Sequence, residues 1–72
     1  MEVIKVQSSV ISQIGFDGKN IFVKFIENGW YKYVNLPESV FEKFRVASSK
    51  GTFLNKTLKR LRQGVLCSNP EL

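Results

Sequence analysis

Up to residue 35 the chain carries short apolar runs broken by turn signals; from residue 37 to residue 63 its apolar residues recur at helical spacing. The first predicted strand, Val10–Phe16, runs into Asp17-Gly18, a dipeptide that favours the positive φ values of a tight hairpin. A second strand spans Asn20–Ile26, Glu27-Asn28-Gly29 supplies the next turn, and Trp30–Asn35 is a third strand rich in aromatic and β-branched residues. If the second turn has three residues, Ile26 faces Trp30, Lys24 faces Lys32 and Phe22 faces Val34, with Phe25 opposite Tyr31 and Val23 opposite Tyr33 on the other side. The Ile21, Val23, Phe25, Tyr31, Tyr33 face is assigned to the core, because burying Lys24 and Lys32 would carry a heavy desolvation cost.

Pro37 fits the first turn of a helix, where its missing N–H is no loss, and Glu38 suits the positive end of the helix dipole. Val40, Phe41, Phe44 and Ala47 then form an apolar stripe. Ser48 or Ser49 can cap a second helix, with Phe53, Leu54, Leu58 and Leu61 inward, Lys56, Lys59 and Gln63 outward, and Gly64 as its end. The expected fold is α+β: a three-stranded antiparallel β-meander followed by two α-helices packed on one face, in the order βββαα. Residues 65–72, with Asn69-Pro70 and no clear period, read as a flexible tail on a single domain covering 1–72.

Seventy-two residues bury only about 60% of the surface the unfolded chain exposes, so six Phe, two Tyr and one Trp must supply most of the core. One cysteine, Cys67, and no histidine rule out an internal disulfide and a Cys/His zinc set, which makes a reducing compartment the expectation. With no apolar leader at Met1–Lys5 and no long apolar run, the expected location is cytoplasmic, without a membrane span.

The net charge of +5 is unevenly placed. Six cations against five acids leave +1 over residues 1–49, whereas five cations against Glu71 leave +4 over residues 50–72. Lys50, Lys56, Lys59, Arg60 and Arg62 fall within thirteen positions with no acid between them, a pattern that attracts polyanions. Ser49-Lys50-Gly51-Thr52 lacks P-loop spacing and reads as a helix cap rather than a phosphate cradle. Trp30 and Phe22, beside Lys24 and Lys32, are either a stacking surface or cover for a core edge, while Tyr31 and Tyr33 read as core cross-strand residues. Without a histidine, and with Glu38 and Glu42 on an exposed helix face, no catalytic, metal or cofactor chemistry is expected.

The ordered signals Ser8-Ser9, Ile14-Gly15-Phe16-Asp17, Val23-Lys24-Phe25, Asn28-Gly29, Tyr31-Lys32-Tyr33, Leu36-Pro37, Phe41 and Ala47-Ser48-Ser49-Lys50-Gly51, with Phe53 and Asn55, resemble the KTSC domain over about residues 7–62. This family occurs at the C-terminus of some lysyl-tRNA synthetases and as stand-alone bacterial and phage proteins. The chain departs from it at Phe16, where many members carry tyrosine, and after Arg62. The resemblance implies an RNA-binding role.

Together these readings give a non-catalytic module that binds nucleic acid, RNA more than DNA, through Lys50, Lys56, Lys59, Arg60 and Arg62, helped by Lys24, Lys32 and Trp30. The alternative is a protein-interaction module, such as a phage-type accessory protein docking on a host factor or an acidic protein surface, with Trp30 and Phe22 as anchors.

Overall fold

The computed structural model describes residues 1–71, apart from the side chain of Glu2. Among these residues five strands, not three, form one antiparallel sheet in the order β1-β2-β3-β4-β5: Glu2–Lys5, Ile11–Phe16, Ile21–Phe25, Trp30–Tyr33 and Val65–Cys67. Two helices are inserted between β4 and β5. The first, α1, is Glu38–Val46; the second, α2, covers residues 50–61 as Lys50–Phe53, a π turn at Leu54–Leu58 and a last turn at Lys59–Leu61.

The expected βββαα order is therefore corrected at both ends. β1 pairs with β2 through Val3↔Gly15 and Ile4↔Ile14. The segment read as a flexible tail contains β5, which pairs with β4 through Trp30↔Cys67, Tyr31↔Leu66 and Lys32↔Val65. Both extra strands satisfy backbone groups that β2 and β4 would otherwise present as sheet edges.

The turns follow from local chemistry. Gly18 has φ 97°, and the Asp17 carboxylate accepts hydrogen bonds from the backbone N–H groups of Lys19 and Asn20, at 2.9 and 2.7 Å, closing the β2–β3 turn. Ser8 Oγ accepts from the N–H groups of Val10 and Ile11 and turns β1 into β2. The register shifts between Ile11 and Gln13, where the Ser12 hydroxyl lies 3.3 Å from the Lys24 carbonyl and donates to it across the irregularity.

Between β3 and β4 the pairing is Lys24↔Trp30, Phe22↔Lys32, Val23↔Tyr31 and Ile21↔Tyr33. This is two residues away from the expected register. The Phe25 N–H donates to the Gly29 carbonyl, so the loop is Ile26-Glu27-Asn28 rather than Glu27-Asn28-Gly29. A slip of two preserves the faces. Ile21, Val23 and Tyr33 lie in the core, with Phe25 and Tyr31 packed against it, and Phe41 and Phe44 of α1 and Leu54 and Leu58 of α2 complete it. Phe16 stacks on Phe41, Phe44 stacks on Phe53, and Phe25 meets Tyr31 edge-on.

Pro37 occupies the cap position of α1, and Ser49 caps α2 by accepting from the Thr52 N–H. Leu61 departs from the expected apolar stripe and is 45% exposed. The π turn widens the helix by a residue, so the inward stripe after Leu58 falls near position 62 instead of 61. Leu61 is turned outward, and Arg62 is half-buried.

Candidate nucleic-acid interface

The cations expected to bind together fall into two structural groups. Three of them are engaged by the fold, and a fourth, Lys32, lies on the sheet. Arg62 donates from Nε to the Val34 carbonyl and from Nη2 to the Asn35 carbonyl, both at 2.9 Å, and so holds the end of α2 to the β4–α1 connection. Asn35 needs that support, since its φ is 54° and its own N–H is tied to Asn20 Oδ1. Lys50 Nζ donates to the Ala47 carbonyl at the end of α1. Lys24 Nζ donates to the carbonyls of Phe25 and Asn28, at 2.7 and 2.8 Å, and braces the β3–β4 loop. Lys32 shares a row with Gly15, Phe22 and Val65 on the sheet face away from the helices.

The remaining three, Lys56, Lys59 and Arg60, are exposed on α2 and have no hydrogen-bond or ion-pair partner among the described residues. A salt bridge on α1 joins Arg45 to Glu42. No carboxylate pairs with any of the three among the described residues, and Glu27 shares a cleft lining with Lys59, so the positive field is least offset at Lys56 and Arg60. Lys24 and Lys32 belong to the sheet face turned away from the helices, whereas Lys56, Lys59 and Arg60 are carried by α2 on the other face.

Of the two readings of Trp30 and Phe22, their burial fits cover for a core edge and not an open stacking surface: Trp30 is 5% and Phe22 8% exposed, on the face that carries Lys24 and Lys32. Gly15 sits directly across from Phe22 on this face. Neither side chain offers a free ring face.

Around the helix cations the surface is concave. An open cleft of about 480 Å³ lies between β4 and the end of α2, with Tyr31 and Tyr33 on the strand side and Lys59, Arg60, Leu61 and Gln63 on the other. A second cleft, of about 370 Å³, lies between the β3–β4 loop and the start of α2, lined in part by Ser9, Asn28, Asn55 and again Lys59. Lys56 borders a third groove beside Ser49 and Phe53. Lys59 is therefore the hinge of two clefts. Sequence reasoning found the cations but missed the cleft, because Tyr31 shares its sheet face with true core residues and Leu61 belongs to a helical stripe that the π turn breaks.

Burial raises the pKa of the Tyr33 hydroxyl above its ordinary value, with Tyr31 adding to the effect. Burial also pushes the Cys67 thiol up, against the opposing pull of Lys32. Neither group is poised as a nucleophile near neutral pH. Among the described residues no three His, Cys, Asp or Glu side chains gather as a metal site, and no helix is long and apolar enough to cross a membrane.

This site defines a small α+β domain whose distinctive surface is a cationic helix end facing an aromatic strand. The KTSC domain matches residues 7–61, and the chain belongs to that family. It is similar over 93% of its length to the crystal structure of KTSC domain protein YPO2434 from Yersinia pestis, 97% of which is covered, at 30% identity and a TM-score of 0.86. No curated protein matches the chain.

Proposed function

We propose that the chain is a non-catalytic, cytoplasmic binding module for nucleic acid, RNA rather than DNA, and that it takes the phosphate backbone on the outward face of α2. The observation that carries this reading is that Lys56, Lys59 and Arg60 stand exposed, without acidic partners among the described residues, along one short helix beside two open clefts. Contacts of this kind neutralise phosphates and release counterions, giving affinity with little sequence preference. RNA is favoured because it presents the single-stranded loops and ends that fit narrow surface clefts. Lys24, Lys50 and Arg62 serve the fold in this account, since each already donates to backbone carbonyls. Docking on a partner protein through Trp30 and Phe22 has less support, because both rings are buried.

The test is a titration of fluorescently labelled single-stranded RNA at several salt concentrations. Three phosphate contacts predict a slope of log affinity against log salt of about −2, and Lys56→Glu with Lys59→Glu should flatten it. An affinity indifferent to salt, or to both reversals, removes the helix from the account.

A further inference from the structure

We propose that the cleft between β4 and the end of α2 receives one unstacked base of a single-stranded nucleic acid, with Tyr31 as its platform and Lys59 and Arg60 on the adjoining phosphate. This rests on the polyanion reading above and adds the place on the fold where a base goes.

The strand side of the cleft carries two tyrosines with different freedom. Tyr33 is 2% exposed, and Gly64 packs so closely that a Cβ there would lie 2.8 Å from the ring, so this tyrosine is covered. Tyr31 is only half-buried, and Phe25 meets its ring edge-on at 5.3 Å and 81°. The ring of Tyr31 is thus held in a set orientation before any ligand arrives, which lowers the ordering cost of binding.

Across the cleft stands Leu61, which the π turn directs away from the core. An apolar side chain opposite an aromatic one suits the two faces of a planar base, while the Gln63 amide can meet hydrogen-bonding groups on its edge. Lys59 and Arg60 line the same cleft, so base and phosphate are served by neighbouring positions on one helix turn. A volume of about 480 Å³ is ample for one base. A base paired within a duplex is stacked on both sides and cannot offer its faces in this way.

The experiment compares three ligands on the full chain: a labelled single-stranded RNA, the same strand with abasic positions, and inorganic polyphosphate as competitor. The wild-type chain should bind the base-bearing strand about tenfold more tightly than the abasic one. Tyr31→Phe should keep that preference; Tyr31→Leu should abolish it while leaving competition by polyphosphate unchanged. Leu61→Ser, altering an exposed side chain outside the core, should reduce the preference and decides the matter if Tyr31→Leu fails to fold. Equal binding of base-bearing and abasic strands by the wild-type chain overturns the cleft proposal alone, as does a preference that survives both Tyr31→Leu and Leu61→Ser. Failure of the wild-type chain to bind either RNA or polyphosphate overturns the polyanion reading beneath it.

Discussion

The guanidinium of Arg62 reaches back 28 positions in sequence to donate to the Val34 carbonyl, and a second donation to Asn35 fixes both sides of the fork. A residue that a charge map would assign to a ligand is thereby committed to joining α2 to the β4–α1 connection. Arg62→Met should lower stability by about 1.5–3 kcal/mol in urea melts, the range for hydrogen bonds made by a charged donor, yet leave the salt slope of RNA binding nearly unchanged. Lys59→Met should do the opposite. A change in binding slope without loss of stability in Arg62→Met would reverse its assignment.

Gly64 lies against Tyr33 with no room for a side chain: a Cβ would stand 2.8 Å from both the terminal ring carbon and the hydroxyl oxygen. The ring is part of the core and cannot swing aside freely. Gly64→Ala should therefore cost about 1–3 kcal/mol, seen as a lowered Tm. Gly18→Ala should also destabilise, for a different reason: there is space around it, but its φ of 97° is costly for any residue with a Cβ.

Asp17 supplies a stability term that depends on pH. Partial burial works to raise its pKa, but hydrogen bonds from the backbone N–H groups of Asn20 and Lys19 and from the Asn20 side chain outweigh that, and the carboxyl titrates below its ordinary value. A group with a depressed folded pKa contributes stability above its unfolded pKa and loses it as the pH falls through the folded one. Asp17→Ala should accordingly lower stability near neutral pH by roughly 0.5–1 kcal/mol, a modest figure because the site is exposed to solvent screening. The gap between variant and wild type should close in acid, below the ordinary aspartate range. A gap that stays constant from neutral pH down to acid would show that the carboxylate is not the cause.

Trp30 makes a convenient reporter, since the chain has one tryptophan and its ring is buried. Its emission should be blue-shifted and weakly quenched by acrylamide in the folded state, becoming accessible only on unfolding. Trp30→Ala should destabilise by about 3 kcal/mol, as for other large aromatic truncations. Free quenching in the native state would place the ring on an open surface instead.

What could be read in the sequence was local. Asp17-Gly18 announced its turn, Pro37 and Ser49 announced the helix starts, and the Ile21, Val23, Tyr31, Tyr33 alternation announced the buried face. The edge strands escaped for two reasons. Val3 and Ile4 are flanked by charges in a four-residue strand, and Val65-Leu66-Cys67 is too short for a period, with a partner strand 37 positions away at its Trp30↔Cys67 pair. The π turn escaped because helical spacing assumes a constant rotation, and nothing in Leu54-Asn55-Lys56-Thr57-Leu58 marks the wider one. Side-chain position within the site was hidden for the same reason: Lys24 and Arg62 count as charges in a sequence, whereas hydrogen bonds to distant carbonyls emerge only once the loops are placed.

The placement of β5 also bears on how the molecule assembles. Hairpins among the first four strands join residues close in the chain, but β5 must wait until the two helices have folded back and carried it alongside β4. Closing that segment of about thirty residues brings an entropic cost that a three-residue strand repays only modestly. The last strand should therefore detach first: its amides should exchange with solvent well ahead of those at the centre of β3, giving the domain a loose latch beside a firm sheet.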